Sequence, residues 1–382
     1  MNKLLKFAVL FTLVATLFAS VTCVACAEND GPTITAKEAI LVSEDGQILF
    51  EKNSREHRPI ASMTKIMTLL CVYDAVDEGK ISLEDNVCVS ERAAGMGGSQ
   101  VFLQANGVYK VADLVKSVIV CSANDSCVAL AEHISGSVEG FVKNMNDKAT
   151  ALGLADTHFD NCTGLPAVSQ FSCAADVAVM MGKLVTHPHY FECAHIWTED
   201  FEHPGGRVTG MTNTNKLVRF YQGCDGGKTG YTGEAKHCLS ATACRNGMRV
   251  IAVVVGADDS KTRFKEVSDM FNYAFANYEN KIYLDVGADV GKISVVGGKC
   301  NDADIVADGK LVCFGKKGQT SAEVRVEMPD NIIAPLAKGD IVGRAVLVRD
   351  GQQIGGVNLV CSADIAAKTY FDYLHDIITA GK

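Results

Sequence analysis

The sequence carries no excess of positive charge. Its 36 Lys and Arg residues face 45 Asp and Glu, and the net charge of −9 makes nucleic acid an unsuitable partner. Beyond the N-terminal segment it has no apolar run approaching the ~20 residues that a membrane-spanning helix needs. Charged residues make up 21% and hydrophobic residues 48%, which is the composition of a globular protein and not of a disordered or membrane-embedded one. After residue 26 it has no C-x-x-C pair. The closest spacings, Cys121/Cys127 and Cys238/Cys244, lack the histidine and cysteine partners of a zinc site, so neither a metal nor another cofactor is expected.

What is present begins with length: 382 residues suffice for two or more domains with sizeable cores. Lys3 and Lys6, the apolar run Phe7 to Phe18, and Ala25-Cys26-Ala27 have the order of an export signal, with residues 1–27 removed and Glu28 as the mature start. Cys23 and Cys26 lack the upstream leucine expected of a lipid-modified cysteine. Loss of Lys3 and Lys6 makes the mature chain more acidic still. Of the 15 cysteines, those after residue 26 are unpatterned and many sit in apolar segments, as small buried hydrophobes do. An exported chain with such cysteines suggests a source that leaves its exports reduced, such as an anaerobe; no disulfide can be assigned.

Along the mature chain, Ala39–Val42 and Gln47–Phe50 flank Ser43-Glu44-Asp45-Gly46 as a hairpin. An apolar helix opens near Ser62 and stops at Asp77-Glu78-Gly79-Lys80. Residues 110–135 read as two apolar helices broken by Cys121-Ser122-Ala123-Asn124-Asp125-Ser126. Those polar residues either cap the second helix or project into a cleft. Residues 139–186 read as helical around a loop, Asn161 to Pro166. Residues 224–256 return to strands with Asn246-Gly247 as a two-residue turn, and an amphipathic helix runs from Thr262 to Tyr278. This makes a mixed α/β domain over 28–280 with an all-helical insert. From 281 to 362, short strands at Ile293–Val296, Leu311–Phe314, Val324–Val326 and Ala345–Val348 alternate with Gly and Asp turns, the pattern of a small all-β domain. Residues 363–382 suggest an amphipathic helix from Asp364 to Ile378 that could rest on a membrane surface, although its charges are mostly acidic.

The chemistry-bearing candidates start with Ser62-Met63-Thr64-Lys65. Residues i and i+3 share a helix face, so the amine can reach the hydroxyl, and a helix start supplies free N–H groups beside it. A nucleophile needs such a base and such donors. Alone the pattern is common. Ser122-x-Asn124 and Lys228-Thr229-Gly230 follow it in order, each in a fitting local context, and this triple is the established signature of class A β-lactamases and penicillin-binding proteins.

Over nearly the whole mature chain the sequence resembles the low-molecular-mass penicillin-binding proteins that are serine-type D-alanyl-D-alanine carboxypeptidases. The likeness rests on Ala61 to Lys65, Asn213 to Leu217, Asp225 to Thr232, Ser260 to Phe264 and Ala334 to Asp340. It implies a penicilloyl-serine transferase (β-lactamase-like) α/β domain followed by a small β-sandwich, acting on peptidoglycan stem peptides ending in D-Ala-D-Ala and acylated by β-lactam antibiotics. It implies Ser62 as nucleophile, Lys65 as its base and Ser122 as proton relay, with Asn124 orienting Lys65 or the substrate amide. Backbone N–H groups of Ser62 and Tyr231 would form the oxyanion hole, and Lys228, Thr229, Gly230 and Arg263 the carboxylate site. Burial and the second cation at Lys228 should both favour a neutral Lys65. Gly233, Lys236 and His237 depart from the usual residues and bear on substrate preference. A β-lactamase is disfavoured because no E-x-x-L-N run follows Ser122; an endopeptidase of the same fold and a non-catalytic wall-binding protein are the other rivals.

Overall fold

The computed structural model describes residues 31–380; the export signal expected at residues 1–27 lies outside the described residues. Five strands form an antiparallel sheet in the order Ile48–Lys52, Glu38–Ser43, Met248–Ala257, Lys236–Arg245, Cys224–Thr232. Side chains alternate across a strand, so each strand feeds two cores. On one face Leu41, Val250, Ala252 and Val254 pack with Val267, Met270 and Phe271 of the long helix Ser260–Asn277. On the other, Ile40, Val42, Ile251 and Val253 join the core of the helical insert. The strand Met248–Ala257 is therefore apolar on both faces, which explains its unbroken run from Val250 to Val255.

The helical insert is built on Lys65–Asp77, whose Ile66, Met67, Leu69, Leu70 and Val72 are all buried. Around it stand Val111–Val120, Asn124–Ser135, Val138–Ala151 and Ala174–Leu184. Between residues 187 and 223, where the sequence offers no clear period, the chain forms the helix Pro188–Ala194 and the hairpin Thr198–Glu202/Val208–Thr212. The short helix Leu217–Phe220 completes this stretch.

The strand Tyr278–Leu284 begins directly at the end of the long helix and pairs with Leu311–Lys316. The boundary drawn at residue 281 thus falls inside a continuous strand. A six-stranded sheet follows, in the order Glu323–Glu327, Ile341–Arg349, Gln352–Cys361, Asp302–Ala307, Asp289–Val296, Asn331–Ile333. Leu311 and Cys313 from the two-stranded ribbon share its core with Ile305, Leu347 and Leu359.

The final helix runs from Tyr370 to Ala380 and does not begin at Asp364. Ile365, read from sequence as part of its apolar face, is instead buried in the β domain, where its backbone bonds to Leu336 in both directions. Among the described residues no helix is long and apolar enough to cross a membrane. All the cysteines among the described residues are free thiols.

Candidate active site

Ser62 lies in a 3₁₀ turn, Ala61–Thr64, that passes directly into the helix Lys65–Asp77. Ala61 has φ +47°, a left-handed conformation that costs a non-glycine residue about 1–3 kcal/mol and persists only when its surroundings enforce it. Two glycines do so by close approach. A Cβ on Gly164 would lie 2.0 Å from the Ala61 carbonyl oxygen, and one on Gly230 would lie 2.6 Å from the Ile60 oxygen and 3.3 Å from the Ser62 nitrogen. The Thr163-Gly164 loop and the end of the strand Cys224–Thr232 thus clamp the turn from two sides.

Within the clamp, Lys65 Nζ donates to Ser62 Oγ at 3.0 Å and to the Thr163 carbonyl at 2.5 Å. Ser62 keeps partial exposure while Lys65 has none. One turn further on, Thr68 Oγ1 donates to the Cys162 carbonyl at 2.6 Å, so the helix and the 162–163 loop are joined twice.

Ser122 and Asn124 do not cap the helix that follows them. Its N-cap is Ala123, which has no side chain to cap with. Ser122 takes φ +67°, and its buried Oγ has no hydrogen-bond partner. Asn124 donates from Nδ2 to the Gly97 carbonyl at 2.7 Å and from its backbone to the Ser99 carbonyl at 2.7 Å, leaving Oδ1 unpartnered. Neither side chain bonds to Lys65 or Ser62. Both present unused polar atoms from buried positions, which is the alternative to capping.

Lys228 and Thr229 are buried on the strand Cys224–Thr232, with Lys228 Nζ donating to the Thr229 carbonyl at 3.1 Å. Asn215 Nδ2 donates to the Gly226 carbonyl at 3.1 Å, and the Gly227 N–H donates to Tyr190 Oη at 2.8 Å, tying the strand to the insert. Tyr231 is exposed and its ring packs on His237, 4.5 Å between centroids, across the strand pair. Arg263 is a buried residue on the long helix. It donates from one terminal nitrogen to the Gly230 carbonyl at 3.0 Å and to the Cys238 carbonyl at 3.3 Å, while its Nε has no partner.

Burial lowers the pKa of the Lys65 amine, against the opposing pull of Cys127, Cys162, Cys121 and Asp125. Burial likewise holds the Lys228 amine well below the ordinary lysine range, with the neighbouring Lys65 amine as a second cause. In both amines burial is the largest cause, and it favours the uncharged form. A neutral amine 3.0 Å from a serine hydroxyl can accept its proton. The arrangement suits acyl transfer through a serine.

Sequence reasoning gave no role in the site to Thr163, Gly164 or Gly97, and left Asp125 as a helix cap or a cleft residue. Thr163 and Gly97 act through backbone carbonyls, which no side-chain motif records. Asp125 accepts the N–H groups of Val101 at 3.2 Å and Leu103 at 3.0 Å, holding the loop that meets Asn124. Its place beside the Ser122 motif was the available signal. Among the described residues, Asp156, Cys173 and Asp176 bring ligand-type atoms within 4.8 Å of one another, and none of the site candidates belongs to that group.

A partly exposed serine hydroxyl beside a buried amine is the arrangement that a serine acyl-enzyme requires. Comparison with known proteins makes it specific. The D-alanyl-D-alanine carboxypeptidase family, peptidase S11, matches residues 25–259, and the penicillin-binding protein 5 C-terminal domain matches residues 278–367. The chain belongs to this family of serine-type D-alanyl-D-alanine carboxypeptidases. It is 40% identical to the D-alanyl-D-alanine carboxypeptidase DacF of Bacillus subtilis, over 89% of this chain and 88% of that one. Among solved structures it is similar to penicillin-binding protein 5 of Haemophilus influenzae (34% identity, TM-score 0.66, covering 88% of this chain and 98% of that one). It is also similar to PBP3 of Streptococcus pneumoniae (28% identity, TM-score 0.71, covering 87% and 99%).

Two outcomes follow from the site. Gly230→Ala would wedge the strand away from the nucleophile turn; a displacement of this kind costs on the order of 10²-fold in rate, readable as slower penicillin acylation with an unchanged circular dichroism spectrum. Lys65→Met tests the buried amine. Because the folded amine holds its proton less tightly than the unfolded one, unfolding takes up a proton between the lowered value and 10.5, and wild-type stability rises with pH across that window. The difference in unfolding temperature, variant minus wild type, should be most favourable to the variant near neutral pH and shrink as pH approaches 10.5.

Proposed function

We propose that the chain removes the terminal D-alanine from peptidoglycan stem peptides, with Ser62 as nucleophile and Lys65 as base. The observation that carries this reading is the fully buried Lys65 amine 3.0 Å from Ser62 Oγ. Ser62 gives its proton to Lys65 and attacks the carbonyl between the two terminal D-alanines. Backbone N–H groups of Ser62 and Tyr231 receive the oxyanion, and Ser122 relays the proton to the leaving amine. Free D-alanine departs, an ester to Ser62 remains, and water hydrolyses it to the shortened peptide. Asn124 orients the substrate amide through its free Oδ1. Lys228, Thr229 and Arg263 favour the terminal carboxylate, which accepts from amine, hydroxyl and guanidinium donors. A β-lactam acylates the same serine through its ring amide.

Incubation with a D-Ala-D-Ala peptide should release D-alanine, and Ser62→Ala should abolish both that release and covalent penicillin labelling. Labelling that survives in Ser62→Ala would place the nucleophile elsewhere. Labelling of the wild type without D-alanine release would favour the endopeptidase reading.

The mature protein is exported and works at the outer face of the cell membrane, with the helix Tyr370–Ala380 lying on the lipid surface. Its Tyr370, Phe371, Leu374, Ile377 and Ile378 are exposed and fall on one helical face. The acidic residues point the other way: Asp372 lies 3.6 Å from Lys299 and Asp376 lies 2.8 Å from Lys368. A face without free charge suits uncharged lipid. The mature chain should co-sediment with phosphatidylcholine vesicles, and the double variant Phe371→Asp, Ile377→Asp should remain in the supernatant with D-alanine release intact. Wild-type protein that stays in the supernatant would refute the attachment.

A further inference from the structure

Glu38 is wholly buried in the strand Glu38–Ser43, where the reaction as described gives it no part. Its Oε2 accepts the N–H of Ala174 at 2.8 Å, at the start of the helix Ala174–Leu184, and its Oε1 lies 3.2 Å from Arg58 Nε. The Arg58 backbone exchanges hydrogen bonds with Ser172 in both directions, at 2.9 and 3.0 Å, and the Ala175 N–H reaches the Ser54 carbonyl at 2.8 Å. Arg58 leads through Pro59 and Ile60 into the Ser62 turn, while Ser172 closes the loop that carries Thr163 and Gly164. One carboxylate therefore joins a sheet strand, the run-in to the nucleophile and the exit of the loop that holds Lys65. Burying the carboxylate of an ion pair is poor value for stability alone, since apolar residues of similar volume often do as well or better. Its location between the two limbs of the site gives it another use.

We infer that the Glu38–Arg58 pair is a positioning device for the reaction, fixing the Ser62 turn against the Thr163 loop and so the reach of Lys65 to Ser62. The inference rests on Ser62 as nucleophile. Burial pushes the Glu38 carboxyl up to about 7, against the lowering pull of the Ala174 N–H and of Arg58. The other titratable groups facing it are Glu56 from the run-in, Cys173 at the helix start and Cys238 on the strand Lys236–Arg245. With the folded value raised from 4.5, its contribution to stability is full below 4.5 and is lost as pH rises to about 7. The charged pair thus forms where the fold gains least from it.

The test is the second-order rate of penicillin acylation as a function of pH for the wild type, Glu38→Gln and Arg58→Gln. Glutamine fixes position 38 in the uncharged state. The wild type should exceed Glu38→Gln by about tenfold on the alkaline side of the Glu38 titration, a loss of positioning worth ~1.4 kcal/mol. The ratio should fall towards one as pH drops through it. Arg58 is partly exposed, so Arg58→Gln tests the same pair if Glu38→Gln does not fold, and it should show the same converging ratio. A ratio that stays constant with pH, or no deficit in either variant, would overturn the inference. Continued labelling of Ser62→Ala would instead strike the nucleophile assignment, which keeps the two failures distinct.

Discussion

Everything around the site depends on keeping one lysine amine out of water. Lys65 has no solvent exposure, and the cost of burying an ammonium lowers its pKa and favours the neutral amine. The fold makes that burial by stacking the first turn of a central helix under two backbone segments. Thr163 supplies a carbonyl that accepts from the amine, and Ser62 a hydroxyl 3.0 Å from it. Neither partner is a carboxylate that would hold the amine charged. In that it differs from an ion pair such as Arg249 with Asp225, where two hydrogen bonds of 2.8 Å stabilise the cation.

The same burial explains the strained backbone. Ala61 and Ser122 are non-glycine residues with φ of +47° and +67°, and they flank the polar atoms of the site from two different segments. With the turn at residue 61, Ser62 is partly exposed while the buried Lys65 amine lies against its hydroxyl. At 122 the hydroxyl does not cap the following helix and has no hydrogen-bond partner. The strain is held by Gly164 and Gly230, which have no side chain and so let neighbouring backbones press directly on the turn. The glycine of the Lys-Thr-Gly motif is thus needed for steric reasons beside whatever its N–H and carbonyl do.

How much of this could be read from sequence follows from how local each feature is. Ser62 and Lys65 are one turn apart, so their spacing reports their contact. The long helix and the strand Met248–Ala257 were legible because periodicity reflects burial on one face or two. Thr163 was not, because it meets Lys65 through a carbonyl across 98 residues of sequence. Glu38 was not, because a lone glutamate in an apolar strand discloses no partner; Arg58 becomes one only when the sheet, the run-in and the helix at Ala174 come together. Arg263 shows a third case. At the start of an amphipathic helix its chemistry resembles a surface charge, and only the approach of the strand carrying Gly230 makes it a buried donor.

In the C-terminal helix, the composition of the segment and the character of its outer face differ. Counted along the chain, Asp364, Asp372 and Asp376 outweigh the nearby lysines and argue against a lipid-facing role. In the fold Asp364 lies outside the helix, where it accepts the Lys338 N–H at 2.7 Å. Asp372 caps the helix start by accepting the Thr369 N–H at 2.7 Å, and Asp376 is paired to Lys368. An acid in the first turn favours the helix through its dipole and its free N–H groups, whatever the outer face touches. What the helix presents outward is set by its 3.6-residue period, and on that face the side chains are aromatic or aliphatic. Net charge belongs to the segment; the charge a partner meets belongs to one face of it, and here the two differ.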